Sequence, residues 1–163
     1  MGNEVKPVIS DVEDFFSEDS LNKPIQLRVG NVPTGNHILK LESFELKKAR
    51  INEKTKIPGT DRFEALFEVL ESDNPKCVVG NKATVPFFKD ENGYGEKGIC
   101  MLAQQGNNDT KLRNGSEAVR DIRSHIGDAI ECHVAQKIKA GVPLTTKKGE
   151  PILEYAFGAF AKF

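Results

Sequence analysis

The residues of this chain that could do chemistry are scattered rather than grouped. His37, His125 and His133 stand far apart, and Cys77, Cys100 and Cys132 include no pair at the short spacing of a zinc site. Cys132 and His133 are neighbours on a strand-like run, so they point to opposite sides and do not share one ion. Glu64 and Glu68 fall on one strand face and would suit a nuclease metal, yet no lysine completes a nuclease arrangement. Gly93-Tyr94-Gly95-Glu96-Lys97-Gly98 matches G-x-G-x-x-G, which cradles phosphates when it joins a strand directly to a helix in a βαβ unit. Here Lys89-Asp90-Glu91-Asn92 intervenes and Glu96 would sit among the phosphates, so the segment reads as a flexible surface loop. No catalytic set is visible, and no metal or cofactor is expected.

Cations are what the sequence does group. The 163 residues carry 23 Lys and Arg against 24 Asp and Glu, a net charge of -1. Lys47, Lys48, Arg50, Lys54, Lys56 and Arg62 nevertheless crowd one segment, opposed by Glu53 and Asp61 alone. Lys137, Lys139, Lys147 and Lys148 crowd another that holds no acid. A nearly neutral chain that concentrates positive charge on two loops is suited to meeting a polyanion locally. Outside those clusters acids outnumber bases in residues 35–163, which disfavours non-specific duplex binding.

The background is that of an ordinary globular domain. Hydrophobic residues make up 38% and charged residues 29%, and the length supports one domain with a real core. No apolar run approaches the ~20 residues of a membrane span. Met1 to Lys6 shows no apolar signal region and, with Lys6, no myristoylation pattern. A cytoplasmic protein with reduced thiols is expected, in a host cell's cytoplasm if the protein is viral.

Residues 1–34 read as an acidic arm: Lys6, Lys23 and Arg28 face six acids. Ser10-Asp11-Val12-Glu13 is a capping-box pattern, and Val12, Phe15 and Phe16 follow at helical spacing. A short helix is expected there, before a turn at Asn31-Val32-Pro33-Thr34-Gly35. The arm admits three readings: a packing helix, a recruiter of a partner helicase, polymerase or recombinase, or a segment that lies in the basic groove until DNA displaces it.

Residues 35–163 read as a second, mainly β unit. Leu39/Leu41 and then Phe44/Leu46 alternate in a long strand whose phase slips once, as a bulge requires. Phe63, Ala65, Phe67 and Val69 define a second strand, and Cys77 to Phe88 a third, interrupted at Gly80-Asn81. A short helix at Ile99–Gln105 and a clearer one at Ser116–Ile126 follow, the latter capped by Ser116 and ended by Gly127. Ala129–Ile138 and Pro151–Phe160 complete the set. The order β-β-β-α-β-β predicts a five-stranded OB-fold barrel, whose second and third strands and 1–2 and 4–5 loops bind oligonucleotides. The basic clusters fall in those two loops, at either end of one groove.

The run Gly35-x-His-Ile-Leu-x-Leu, the basic loop, Arg62-Phe-Glu-Ala-Leu-Phe-Glu-Val-Leu and Val79-Gly80-x-x-Ala-Thr-Val-Pro-Phe-Phe resembles the OB-fold single-stranded DNA-binding proteins of bacteriophages. The resemblance spans roughly residues 35–160 and implies a replication or recombination accessory that coats exposed single strands. Many such proteins end in an acidic tail that recruits partners, whereas this chain ends Phe160-Ala161-Lys162-Phe163. The acidic stretch, Asp11 to Asp19, lies at the other end, so recruitment of replication or recombination proteins is either moved there or missing.

Single-strand binding needs cations along the phosphates and flat rings under the bases. The expected cations are the ten residues of the two clusters. The expected rings are Tyr94, Phe88 and Tyr155, since adjacent strand residues Phe87 and Phe88 face opposite ways. The rival is a structural or protein-interaction module, such as a virion component or inhibitor, using the same barrel. A nuclease or nucleotide-binding enzyme is a weaker third.

Overall fold

Four sequence runs that alternate apolar and polar residues assemble side by side, and everything else is arranged around them. The computed structural model describes residues 13–23, 28–49, 51, 53–56 and 59–163. Strand outweighs helix, 38% against 21%, as the mainly β class predicts. The elements in order are α1 (Glu18–Asn22), β1 (Arg28–Asn31), β2 (Gly35–Lys47), β3 (Arg62–Ser72) and β4 (Lys82–Phe88). Then follow α2 (Tyr94–Gly106), α3 (Gly115–Arg123), β5 (Ala129–Gln136), β6 (Ile138–Lys139), β7 (Val142–Pro143) and β8 (Leu153–Phe157).

Six strands form one curled half-barrel sheet in the order β1-β4-β3-β2-β5-β8. The sequence predicted five. The sixth is β1, which pairs parallel with β4, Arg28 opposite Lys82 and Asn31 opposite Thr84. Its four residues, Arg-Val-Gly-Asn, carry no alternation that would announce a strand. β6 and β7 form a separate small hairpin within the long β5–β8 connection.

β2 organises the sheet because it pairs with β3 on one side and β5 on the other. The phase slip read from the sequence is a bulge: Leu41 pairs with Phe67 and Ser43 with Leu66, leaving Glu42 over. A second irregularity lies between Ile38 and Leu39. Such bulges bend a strand and increase its twist, which lets 13 residues follow a curved wall.

The inward faces close a core of Leu39, Leu41, Phe44, Phe67, Val85 and Ile130, with the helices adding Leu102 and Ile122. α2 begins at Tyr94, five residues before the expected start, so the glycine-rich segment is its first turn rather than a loop. Gly95 packs so close to the Phe88 carbonyl that a Cβ there would overlap it, and Gly98 faces the Phe87 ring. These glycines let a helix lie directly on the end of β4. α3 starts at Gly115, capped by the Asn114 side chain accepting from the Glu117 N–H at 2.9 Å, so Ser116 is inside the helix.

The segment expected as the first half of the third strand is a turn instead. The Cys77 N–H donates to the Asn74 carbonyl, and Gly80 takes φ +90. In the arm, residues 13–15 are helical and Ser17 caps α1 through the Ser20 N–H. Ser10, Asp11 and Val12 of the expected capping box lie outside the described residues. Among the described residues, no helix is long and apolar enough to cross a membrane.

Candidate nucleic-acid interface

Strand register decides where the two cation clusters stand. Lys47 pairs with Arg62 at one end of β2, and Gly35 pairs with Val134 at the other. The β2–β3 loop therefore leaves one end of the long strand and the β5–β8 connection leaves the opposite end. Those ends would be about 40 Å apart along a straight strand, less along a bulged one.

The second cluster is wholly solvated. Lys137, Lys139, Lys147 and Lys148 are exposed, and none has an ion pair among the described residues. Lys139 belongs to β6, and a turn closed by the Gly149 N–H on the Thr146 carbonyl presents Lys147 and Lys148. The first cluster is mixed. Lys48 lies 3.8 Å from Asp61, Lys56 lies 3.7 Å from Glu53 and Arg62 donates to Glu64 at 3.2 Å. Lys47 is exposed at the end of β2 and Lys54 lies in the turn at 53–55; Arg50 lies outside the described residues.

The aromatic expectations separate cleanly. Phe88 stands outside the core, 50% exposed, while Phe87 beside it is buried. Phe88 is paired with Arg62 across the β3–β4 ladder, so both side chains project to one face. Tyr94 is exposed at the first position of α2, with the Lys97 ammonium 5.4 Å from the centre of its ring. Tyr155 is half-buried and packs against the core, because it pairs with the inward-facing Val134. Burial pushes its phenol up to about 12. It is therefore a wall of the core rather than an open platform.

A cleft of about 1010 Å³ gathers residues from both halves of the fold. Its walls are the ends of β2, β3 and β4 on one side and α2 and α3 on the other. Lys48, Arg62 and Phe88 of the expected set line it. So do Lys89, Arg120 and Arg123, which the charge clusters did not include. The signal for two of them was present: Arg120 and Arg123 lie three apart on α3 and off its apolar stripe. The floor is apolar, with Phe63 and Val119 half-buried and Phe87 and Ile99 buried beneath them.

The cations of this cleft differ in availability. The Arg113 side chain is 4% exposed and holds Asp109 at 2.7 Å and Asp121 at 2.6 Å, so it ties the α2–α3 connection together. That double partnership raises its already high pKa and holds the Asp109 carboxyl below its ordinary value. Arg123 donates to the Phe44 carbonyl at 2.9 Å and anchors α3 to β2. Arg120 and Lys89 are exposed and have no ion pair among the described residues. Two carboxylates also line the cleft, Asp61 and Glu96. Asp61 already accepts the Ala49 N–H at 2.7 Å.

The middle of the outer sheet face is electrically quiet by comparison. Lys40 meets Glu68 at 3.0 Å and Lys82 meets Glu42 at 2.7 Å. A second cavity, at the Gly35 end of β2, is lined by Glu71, Asp73 and Glu131 and by no lysine or arginine. Among the described residues no group of three His, Cys, Asp or Glu could hold a metal ion. No family model matches the chain, and no curated protein matches its sequence.

Proposed function

We propose that this protein binds single-stranded DNA without regard to sequence, on an OB-type barrel, by neutralising phosphates and stacking bases. The observation that carries the reading is the placing of Phe88 beside Arg62, at the end of the sheet from which the first basic loop leaves. Stacking on an exposed ring is sequence-tolerant because every base has a π-face, and neighbouring cations hold the backbone that carries it.

Strand order supports the OB assignment. After Gly35 three strands follow one another antiparallel, a helical segment intervenes, and the fourth strand returns to pair with the first. The expected binding loops are then the two that carry the basic clusters. The lysines of the β5–β8 connection, which have no ion pair among the described residues, would extend the phosphate track to the far end of β2. Replication and recombination are the settings that the phage resemblance implies. The acidic arm, where Phe15 is 82% exposed, is the segment we assign to partner recruitment there. Binding of a labelled thymine oligonucleotide, measured against its duplex, tests the reading.

A further inference from the structure

We propose that the cleft between the β4 end and α3 is a seat for unstacked nucleotides of the bound strand, with the bases on its apolar floor and the phosphates at its cationic rim. This rests on the single-strand reading above and names a subsite within it that the two basic loops do not contain.

The chemistry of the cleft matches one occupant. Leu46, Phe63 and Val119 offer apolar surface over the buried Phe87 and Ile99, and Lys89, Arg120 and Arg123 stand around it. A nucleotide has that same division, a flat apolar base on a charged backbone. About 1010 Å³ is at the upper end of the ~300–1,000 Å³ typical of small-molecule sites, enough for more than one base. A duplex cannot use it, because paired bases are stacked inside the helix and extrusion costs free energy. The cleft thus supplies a reason for strand selectivity that surface lysines alone do not.

Electrostatics direct the strand to this place. The lysines in the middle of the outer sheet face are matched by Glu68 and Glu42. Arg120 and Lys89 are matched by nothing among the described residues, so a phosphate gains attraction there without breaking an existing pair. The opposing carboxylates are Glu96, in the first turn of α2, and Asp61, which faces Lys48 at 3.8 Å, while Arg123 meets Glu45 at 3.6 Å.

The walls are also fixed before any ligand arrives. Arg113 bridges Asp109 and Asp121, Arg123 reaches the Phe44 carbonyl, and Gly95 seats α2 on β4. A preorganised seat loses less conformational entropy when it is filled.

Cys100 provides a reporter already in place. It lines the cleft and is half-buried, whereas Cys77 and Cys132 are buried in the core. The experiment is alkylation of the full chain by iodoacetamide, read at Cys100 by mass spectrometry. It is run alone and with a thymine octamer, a duplex octamer or thymidine monophosphate. Affinity of the octamer is measured in parallel for the unaltered protein and for Lys89→Glu with Arg120→Glu. The inference expects the single strand to slow Cys100 alkylation and the duplex to leave it unchanged. The double variant should lose at least ~10-fold in affinity, and its neutral counterpart, Lys89→Ala with Arg120→Ala, should flatten the salt slope by ~1.4 for two lost phosphate contacts.

An octamer that binds the unaltered protein yet leaves both Cys100 alkylation and the variant's affinity unchanged overturns the seat and spares single-strand binding. No octamer binding at low salt overturns both. Protection by thymidine monophosphate equal to that by the octamer overturns the strand as occupant, in favour of a free nucleotide.

Discussion

Arg62 and Phe88 face each other across the β3–β4 ladder, one a cation and the other a half-exposed ring. The pairing places a cation and an exposed ring, the two groups the proposed single-strand site needs, on the same side of the sheet, where the first basic loop returns. Phe87, one residue away, is in the core and stacks edge-on to Phe44 at 6.0 Å. Adjacent positions therefore divide between the core and the surface, and in the proposed function between folding and binding.

That division predicts opposite phenotypes. Phe88→Ala should weaken single-strand affinity by ~5- to 150-fold, the equivalent of the ~1–3 kcal/mol of one lost base stack, with little change in melting temperature. Phe87→Ala should instead destabilise the fold by ~3–5 kcal/mol. Anisotropy titration and thermal melting of the two variants separate these effects.

Charge reversal of Lys47, Lys48, Lys147 and Lys148 removes cations from both ends of β2. All four are exposed, and only Lys48 has an ion pair, at 3.8 Å, among the described residues. The melting temperature should be unchanged while DNA affinity is lost. Neutral alanine replacements should reduce the salt slope by ~0.7 for each phosphate contact removed.

Gly95→Ala tests how the helices are seated. The added methyl group meets the Phe88 carbonyl, which is backbone and cannot swing away. α2 must lift from β4, at a cost of ~1–3 kcal/mol in overpacking. Both a lower melting temperature and weaker binding should follow, since the same contact shapes the cleft and orients Phe88.

Acid should weaken the fold through two identified carboxylates. Asp73 accepts the Asn36 backbone N–H at 2.9 Å, and this bond chiefly holds its pKa below 3.8. The Arg113 guanidinium does the same for Asp109. A depressed folded pKa means stability that is present in full above the ordinary value and lost as pH falls through the lower folded one. Denaturant unfolding from pH 6 down to about pH 2 should show that loss below about pH 4, and Asp73→Asn should reduce it.

Much of this architecture was legible because one face of each central strand is buried. Alternation at Phe63, Ala65, Phe67 and Val69 announces β3, and the phase slip between Leu41 and Phe44 announces a bulge, which the structure puts at Glu42; the irregularity between Ile38 and Leu39 leaves no such trace. What escaped was set by tertiary contact. Gly93 to Gly98 has the composition of a loop, yet Gly95 and Gly98 serve close helix–strand packing. β1 exists because β4 offers a parallel partner, which four residues of local sequence do not announce. Tyr155 looked like a platform until its pairing with Val134 turned it toward the core. Of the cleft, Lys48, Arg62 and Phe88 were visible from charge and strand phase. Arg120 and Arg123 were visible as cations off the apolar stripe of α3, but the packing of α3 over the strand ends is what brings them together with Lys89, the residue after β4.

The central claim is single-strand binding, and anisotropy of a labelled thymine oligonucleotide against its duplex, at two salt concentrations, tests it most directly. The account predicts tight binding of the single strand, weak binding of the duplex and a steep loss of affinity as salt rises. Failure to bind the single strand at low salt would contradict it and return the barrel to a protein partner.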